Sequence, residues 1–129
     1  MNTEDNAYEK AGLSSLERLV GKCLSIVCHV QDYIELIFED ELVLTCYALP
    51  IVELGDREIC PNTLGYNDAI VALVGKTVQS VRERPRIELS LWFDSNEGVT
   101  ISLRPEDSRS VEAAMLHRRG VAIYNVWRY

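Results

Sequence analysis

The chain predicts a mainly β protein with a few short helices. Two observations carry this: period-two alternation of apolar and polar residues in several stretches, and one pattern of core and turn residues that occurs twice. The second is introduced by the tetrapeptide Leu-Val-Gly-Lys, at Leu19–Lys22 and again at Leu73–Lys76. Setting 19–50 above 73–105 aligns Leu24 with Val78, Phe38 with Phe93 and Pro50 with Pro105, with one inserted residue. The pattern reads as an internal duplication, with repeats at about 14–50 and 67–105. The expected fold is two helix-plus-three-strand units packed as a β-sandwich or an open barrel, completed by a C-terminal strand.

Each repeat opens with a short helix. Ser14 and Glu17 have capping-box spacing, and Leu16, Leu19 and Val20 form an apolar stripe. In the second repeat Asn67 is the expected N-cap, and Ala69, Ile70, Leu73 and Val74 make the stripe. Gly21 and Gly75 stand where a left-handed residue ends a helix, and the lysine after each lies near the negative helix end. The tetrapeptide is thus read as punctuation. A phosphate-binding Gly-Lys would need a glycine-rich loop and a following Ser or Thr, and neither is present.

Three strands follow in each repeat. The first repeat has them at about 22–30, 33–39 and 41–48, with Ile34, Leu36 and Phe38 alternating with Tyr33, Glu35 and Ile37. The second has them at about 76–84, 86–93 and 99–104, with Leu89, Leu91 and Phe93 alternating with Glu88, Ser90 and Trp92. Pro50 and Pro105 close the units, because proline cannot donate to a ladder. Residues 51–66, with Gly55, Pro61 and Gly65, read as a connector. A short helix is expected near Val111–His117, and a last strand at 121–129. Trp92 and Trp127 are read as covers for core edges.

The length of 129 residues suits one domain, and a hydrophobic content of 47% supplies a core. No apolar run approaches the roughly 18–20 residues of a membrane span. The polar, acidic start has neither the basic nor the apolar part of a secretory signal, so the expected location is cytoplasmic, with residues 1–12 flexible. Cys23, Cys28, Cys46 and Cys60 read as free thiols, the first three in apolar surroundings that suggest burial. Cys28 and His29 are adjacent and would face opposite ways on a strand, so neither a metal site nor a dyad is read there. The expectation is no metal and no cofactor.

Net charge is −7, with 5 basic against 13 acidic residues in 1–80 and 8 against 7 in 81–129. An acidic surface repels phosphate backbones, which argues against nucleic acid as a partner. Arg82–Arg86 is a basic cluster, read as the solvated end of a strand. The carboxylates Asp32, Glu35, Glu39, Asp40, Glu41, Glu53, Asp56 and Glu58, with Tyr33 and Tyr47, form the candidate partner-binding set. The acidic turn Glu39–Glu41 is its expected centre, with charge reversal there expected to spare folding. The plain reading of the same rim is ordinary solvated surface, and no catalytic residue is assigned: His29 and His117 are isolated, and no hydrolase or metalloprotease motif occurs.

The doubled Leu-Val-Gly-Lys pattern, with "GYNDAI" before the second copy and "ISLRPEDSRSVEAA" then "VW" near the end, resembles a group of small bacterial proteins of unassigned function. Some of these look like cognate immunity proteins of polymorphic or contact-dependent toxins. The resemblance spans roughly Leu16–Trp127 and brings no catalytic residues with it. It implies a single-domain cytoplasmic protein that occludes a toxin domain through an acidic surface. Two other readings stay open: a structural or regulatory interaction module, including a homodimer, and a small enzyme or ligand-binding barrel.

Overall fold

The structure is a computed structural model and describes residues 8, 10–94 and 96–129. The expectation for residues 1–12 lies, for 1–7 and 9, outside the described residues. The described residues form ten strands: β1 (Leu24–Val30), β2 (Tyr33–Phe38), β3 (Leu42–Cys46), β4 (Ile51–Leu54), β5 (Arg57–Ile59), β6 (Ser80–Arg84), β7 (Glu88–Trp92), β8 (Glu97–Ser102), β9 (Glu112–Arg118) and β10 (Ala122–Arg128). A single-turn 3-10 helix at Ser15–Leu19 and the helix α1 (Tyr66–Val71) precede β1 and β6. Pairing is antiparallel throughout, in two five-stranded sheets ordered β1-β2-β3-β9-β10 and β5-β4-β8-β7-β6. The fold is mainly β and sandwich-like.

One apolar core lies between the sheets. From β2 it takes Ile34, Leu36 and Phe38, from β3 Leu42, Leu44 and Cys46, and from β9 Ala114 and Leu116. The second sheet contributes Val52, Leu89, Leu91, Val99 and Ile101. Alternation along these strands therefore sends Tyr33, Glu35, Ile37, Val43, Thr45, Met115 and His117 to the outer face of the first sheet. Leu16, Leu19, Ile70 and Leu73 from the helical turns plug the core, whereas Val20 and Val74, expected in the same stripes, are exposed because the chain turns away at the following glycines.

Each sheet consists of a three-stranded meander and a hairpin from elsewhere in the chain. The β4–β5 hairpin, which follows β3, pairs with β8, and the β9–β10 hairpin, which follows β8, pairs with β3. The segments after the two tetrapeptides meet across the molecule. Gly21 N–H donates to Val78 O and Gly75 N–H to Leu24 O, both at 2.8 Å; Leu24 N–H donates to Lys76 O at 2.8 Å and Val78 N–H to Lys22 O at 2.9 Å. Both glycines are left-handed, with φ of 87° and 92°, which a side chain would strain. Lys22 ion-pairs with Asp40, and Lys76 with Glu97 at 2.6 Å, so the lysines serve neighbouring acidic turns rather than helix ends.

Several expectations are corrected. Residues 112–118 are not a helix but β9. The run Glu-Ala-Ala-Met-Leu favours a helix intrinsically, yet its place between β3 and β10 supplies two ladders and buries Ala113, Ala114 and Leu116. Residues 51–59 are not a connector but the β4–β5 hairpin, turned at Gly55-Asp56 with Gly55 at φ 66°. Asn67 does not cap α1; Gly65 does, and Asn67 turns to His29. Ser14 accepts from Leu16 N–H and donates to Glu83 Oε1 at 2.5 Å, so the capping box with Glu17 does not form. Of the four free cysteines only Cys46 is buried; Cys23 and Cys28 are half-buried and Cys60 is exposed.

Candidate functional site

The ten candidate residues fall on two surfaces. Asp32 lies in the β1–β2 turn, Tyr33 and Glu35 on the outer face of β2, Glu39, Asp40 and Glu41 in the β2–β3 turn, and Tyr47 just beyond β3. Glu53, Asp56 and Glu58 lie on the β4–β5 hairpin of the other sheet. The expected single acidic rim is therefore divided, because the hairpin crosses over to join β8.

In the first group the fold itself uses two of the carboxylates. Glu39 Oε1 accepts from Cys23 N–H at 2.5 Å, and Asp40 is bonded to Lys22, whose ammonium holds its carboxyl below the usual range. Asp40 and Glu41 sit at positive φ, 61° and 62°, which makes this a defined turn rather than a free acidic loop. Charge reversal here would place a cation against Lys22 and remove the acceptor of Cys23 N–H, so it would perturb the turn itself as well as any partner contact. Tyr33 and Tyr47 make a tilted ring pair, with centroids 5.4 Å apart and planes at 56°. Burial, then Glu112, raises the Tyr47 hydroxyl above its ordinary range.

The second group is arranged differently. Glu53 and Glu58 are directly opposed across β4 and β5, where like charges repel. Glu53 next opposes Gly98 on β8, and Gly98 opposes Trp92 on β7, which places these positions in one row. Thr100 Oγ1 donates to Glu53 Oε1 at 3.2 Å. Burial and then the Glu58 charge raise the Glu53 carboxyl, a rise the Thr100 bond offsets in part and Glu88 reinforces. The outer face of the second sheet therefore holds a carboxylate kept at an electrostatic disadvantage. Glu88 and Thr100 were not among the expected residues; the two-residue Gly55-Asp56 turn is the signal that would have brought Glu53 and Glu58 together.

The histidines stay apart. His29, exposed on the edge strand β1, has Nε2 3.1 Å from Asn67 Oδ1 at the mouth of a cleft of about 360 Å³ that also takes Tyr33, Leu49, Leu64 and Tyr66. Tyr66 is buried there and donates to Pro50 O at 2.6 Å. His117 lies on the outer face of β9 in the opposite half of the sheet. Among the described residues no three His, Cys, Asp or Glu side chains converge as a metal site, and no helix is long and apolar enough to cross a membrane. Of the two tryptophans, Trp127 is buried in the core, whereas Trp92 is not at a core edge as expected but half-buried on the outer face of the second sheet, over Gly98. Compared with family models, curated proteins and solved structures, the chain matches none.

Proposed function

We propose that the chain is a non-enzymatic binding protein that occludes a partner with a basic surface, in the manner of an immunity protein against a cognate bacterial toxin domain. It would act in the cytoplasm without a cofactor. The observation that carries this reading is the Glu53–Glu58 opposition on the β4–β5 hairpin, with Asp56 in its turn and Glu88 nearby. A protein that keeps two carboxylates face to face gives up local stability, and a partner's Lys or Arg side chains would relieve that repulsion on docking. Asp32, Tyr33, Glu35 and Tyr47 offer a second acidic and aromatic area, whereas Glu39 and Asp40 are already engaged by the fold.

An internal duplication fits the same picture. The hydrogen bonds of Gly21 and Gly75 are equivalent at an offset of 54 residues, as are the left-handed glycines themselves. The hairpin following each meander is then the part that diverged: β4–β5 became acidic, while β9–β10 carries Arg118, Arg119 and Arg128.

The test is a pull-down from the native host lysate with tagged wild-type protein and with Glu53→Lys/Glu58→Lys. The expected result is one stoichiometric, salt-sensitive partner captured by the wild type and lost by the variant. Equal capture by both would discard the hairpin as the contact, and recovery of bait alone would discard the binding role.

A further inference from the structure

The cleft beside His29 is built unlike the acidic surfaces. Its floor is the core itself: Ile34 and Tyr66 are 2% and 5% exposed, and Leu49 packs against that core. Its rim is polar, with carboxamides from Gln31, Asn62 and Asn67 and the imidazole of His29. Among the described residues no Asp, Glu, Lys or Arg lines it, although these make up 26% of the chain. Its volume of about 360 Å³ lies in the range of sites that hold one small molecule. Hydrogen bonds fix the walls before anything binds. The Tyr66 hydroxyl donates to Pro50 O, and the Thr63 hydroxyl donates to Cys60 O, both at 2.6 Å. Asn67 Oδ1 can only accept, so His29 donates to it through Nε2. One rim residue is held at a cost. The β1–β2 turn has two residues, Gln31 and Asp32, and Gln31 sits at φ 46°. Such turns favour glycine where φ is positive, so a glutamine there is strained, and strain of this kind collects at ligand sites.

We propose that this cleft binds a small uncharged molecule with a planar heterocyclic ring, of the class of a nucleoside. A carboxamide sets one donor and one acceptor side by side, the pairing that reads the edge of a nucleobase, and the rim carries three of them. The floor of Ile34 and Leu49 takes the flat face of the ring. Leu64, wholly exposed on the rim, supplies an apolar side chain for the other face, the sandwich in which a base outside a stack is held. A hexose carries hydroxyls on every side and would bring them against that floor without partners. A phosphate is disfavoured as well. No cation lines the cleft, Asp32 lies between the lining residues Gln31 and Tyr33, and the chain as a whole is at −7. The base is therefore accepted and its phosphorylated forms are refused, in keeping with a surface that repels nucleic acid. The site is separate from Glu53 and Glu58 and does not depend on what they meet.

The experiment titrates the isotope-labelled full chain with adenosine, guanosine, cytidine and uridine, each to about 2 mM, and follows the amide resonances. The expected result is saturable binding of at least one nucleoside, with a Kd of about 0.1–1 mM and shifts centred on Gln31, Leu64 and Asn67. The corresponding monophosphate should bind about fivefold more weakly or worse, and glucose should leave these amides unmoved. Gln31→Gly relieves the turn, and Leu64→Ser alters a side chain that is wholly exposed, so neither should lower the melting temperature. Each should weaken nucleoside binding about fivefold. Absence of saturable binding by all four, a monophosphate as tight as its nucleoside, glucose shifting the same amides, or two variants that bind like the wild type would each overturn the proposal.

Discussion

Adding one methyl group at Gly98 should be among the most damaging small changes in this protein. Gly98 is buried in β8, paired with Trp92 on β7 and Glu53 on β4. A Cβ there would stand 2.4 Å from Leu91 O and 2.6 Å and 2.9 Å from the Trp92 ring carbons Cε3 and Cδ2. The ring could swing aside, but Leu91 O belongs to the β7 ladder and cannot move without breaking it. Overpacking of this kind typically costs about 1–3 kcal/mol and occasionally more, and the backbone clash places Gly98→Ala at that upper end or just beyond it, about 2–4 kcal/mol. Unfolding entropy of about 2.1 cal/mol/K per residue over this chain converts that to a fall of about 7–15 °C in Tm. Thermal melts followed by circular dichroism, with urea unfolding as a second measure, read the effect directly. A loss below about 0.5 kcal/mol would refute the close approach of Trp92 and Leu91 to Gly98.

Phe38→Ala, at the end of β2, and Phe93→Ala, just beyond β7, remove side chains that are 2% and 3% exposed, so urea unfolding should show losses of about 3–5 kcal/mol for each. Losses under about 1 kcal/mol would contradict their burial. Glu53→Gln should stabilise the protein by about 0.3–0.5 kcal/mol at pH 7, a value discounted because the pair is largely solvated. Burial and Glu58 raise Glu53 in the folded protein above its ordinary 4.5. The folded state therefore holds that proton more tightly, and the stability this gives is complete below about 4.5 and lost as pH rises through the folded value. The advantage of the glutamine variant should accordingly grow from pH 4 to pH 7, and urea midpoints at the two pH values that differ equally would count against it.

The strands β2, β7 and β8 were legible because Ile34-Leu36-Phe38, Leu89-Leu91 and Val99-Ile101 alternate strictly with polar or half-buried neighbours. β9 was not, because Glu112 to Leu116 are strong helix formers and only a long-range pairing with β3 makes them a strand. The β4–β5 hairpin was hidden by its flanking prolines and by Gly55, which suggested a loop although Leu54 and Arg57 bracket a two-residue turn. The candidate carboxylates were visible as a set, but their division between two sheets follows from crossover pairing that no local pattern encodes.

The exchange of hairpins has a consequence for how the molecule comes apart. Residues up to Ile59 build most of one sheet and the border of the other, and residues from Tyr66 onward do the reverse. Neither stretch can close its half of the core while the other is missing, since β3 awaits β9 and β8 awaits β4. Folding is thus bound to contacts distant in sequence, which slows it and ties both sheets to one event. Severed between Cys60 and Gly65, the chain should yield two pieces that are each unfolded alone and regain structure only when mixed.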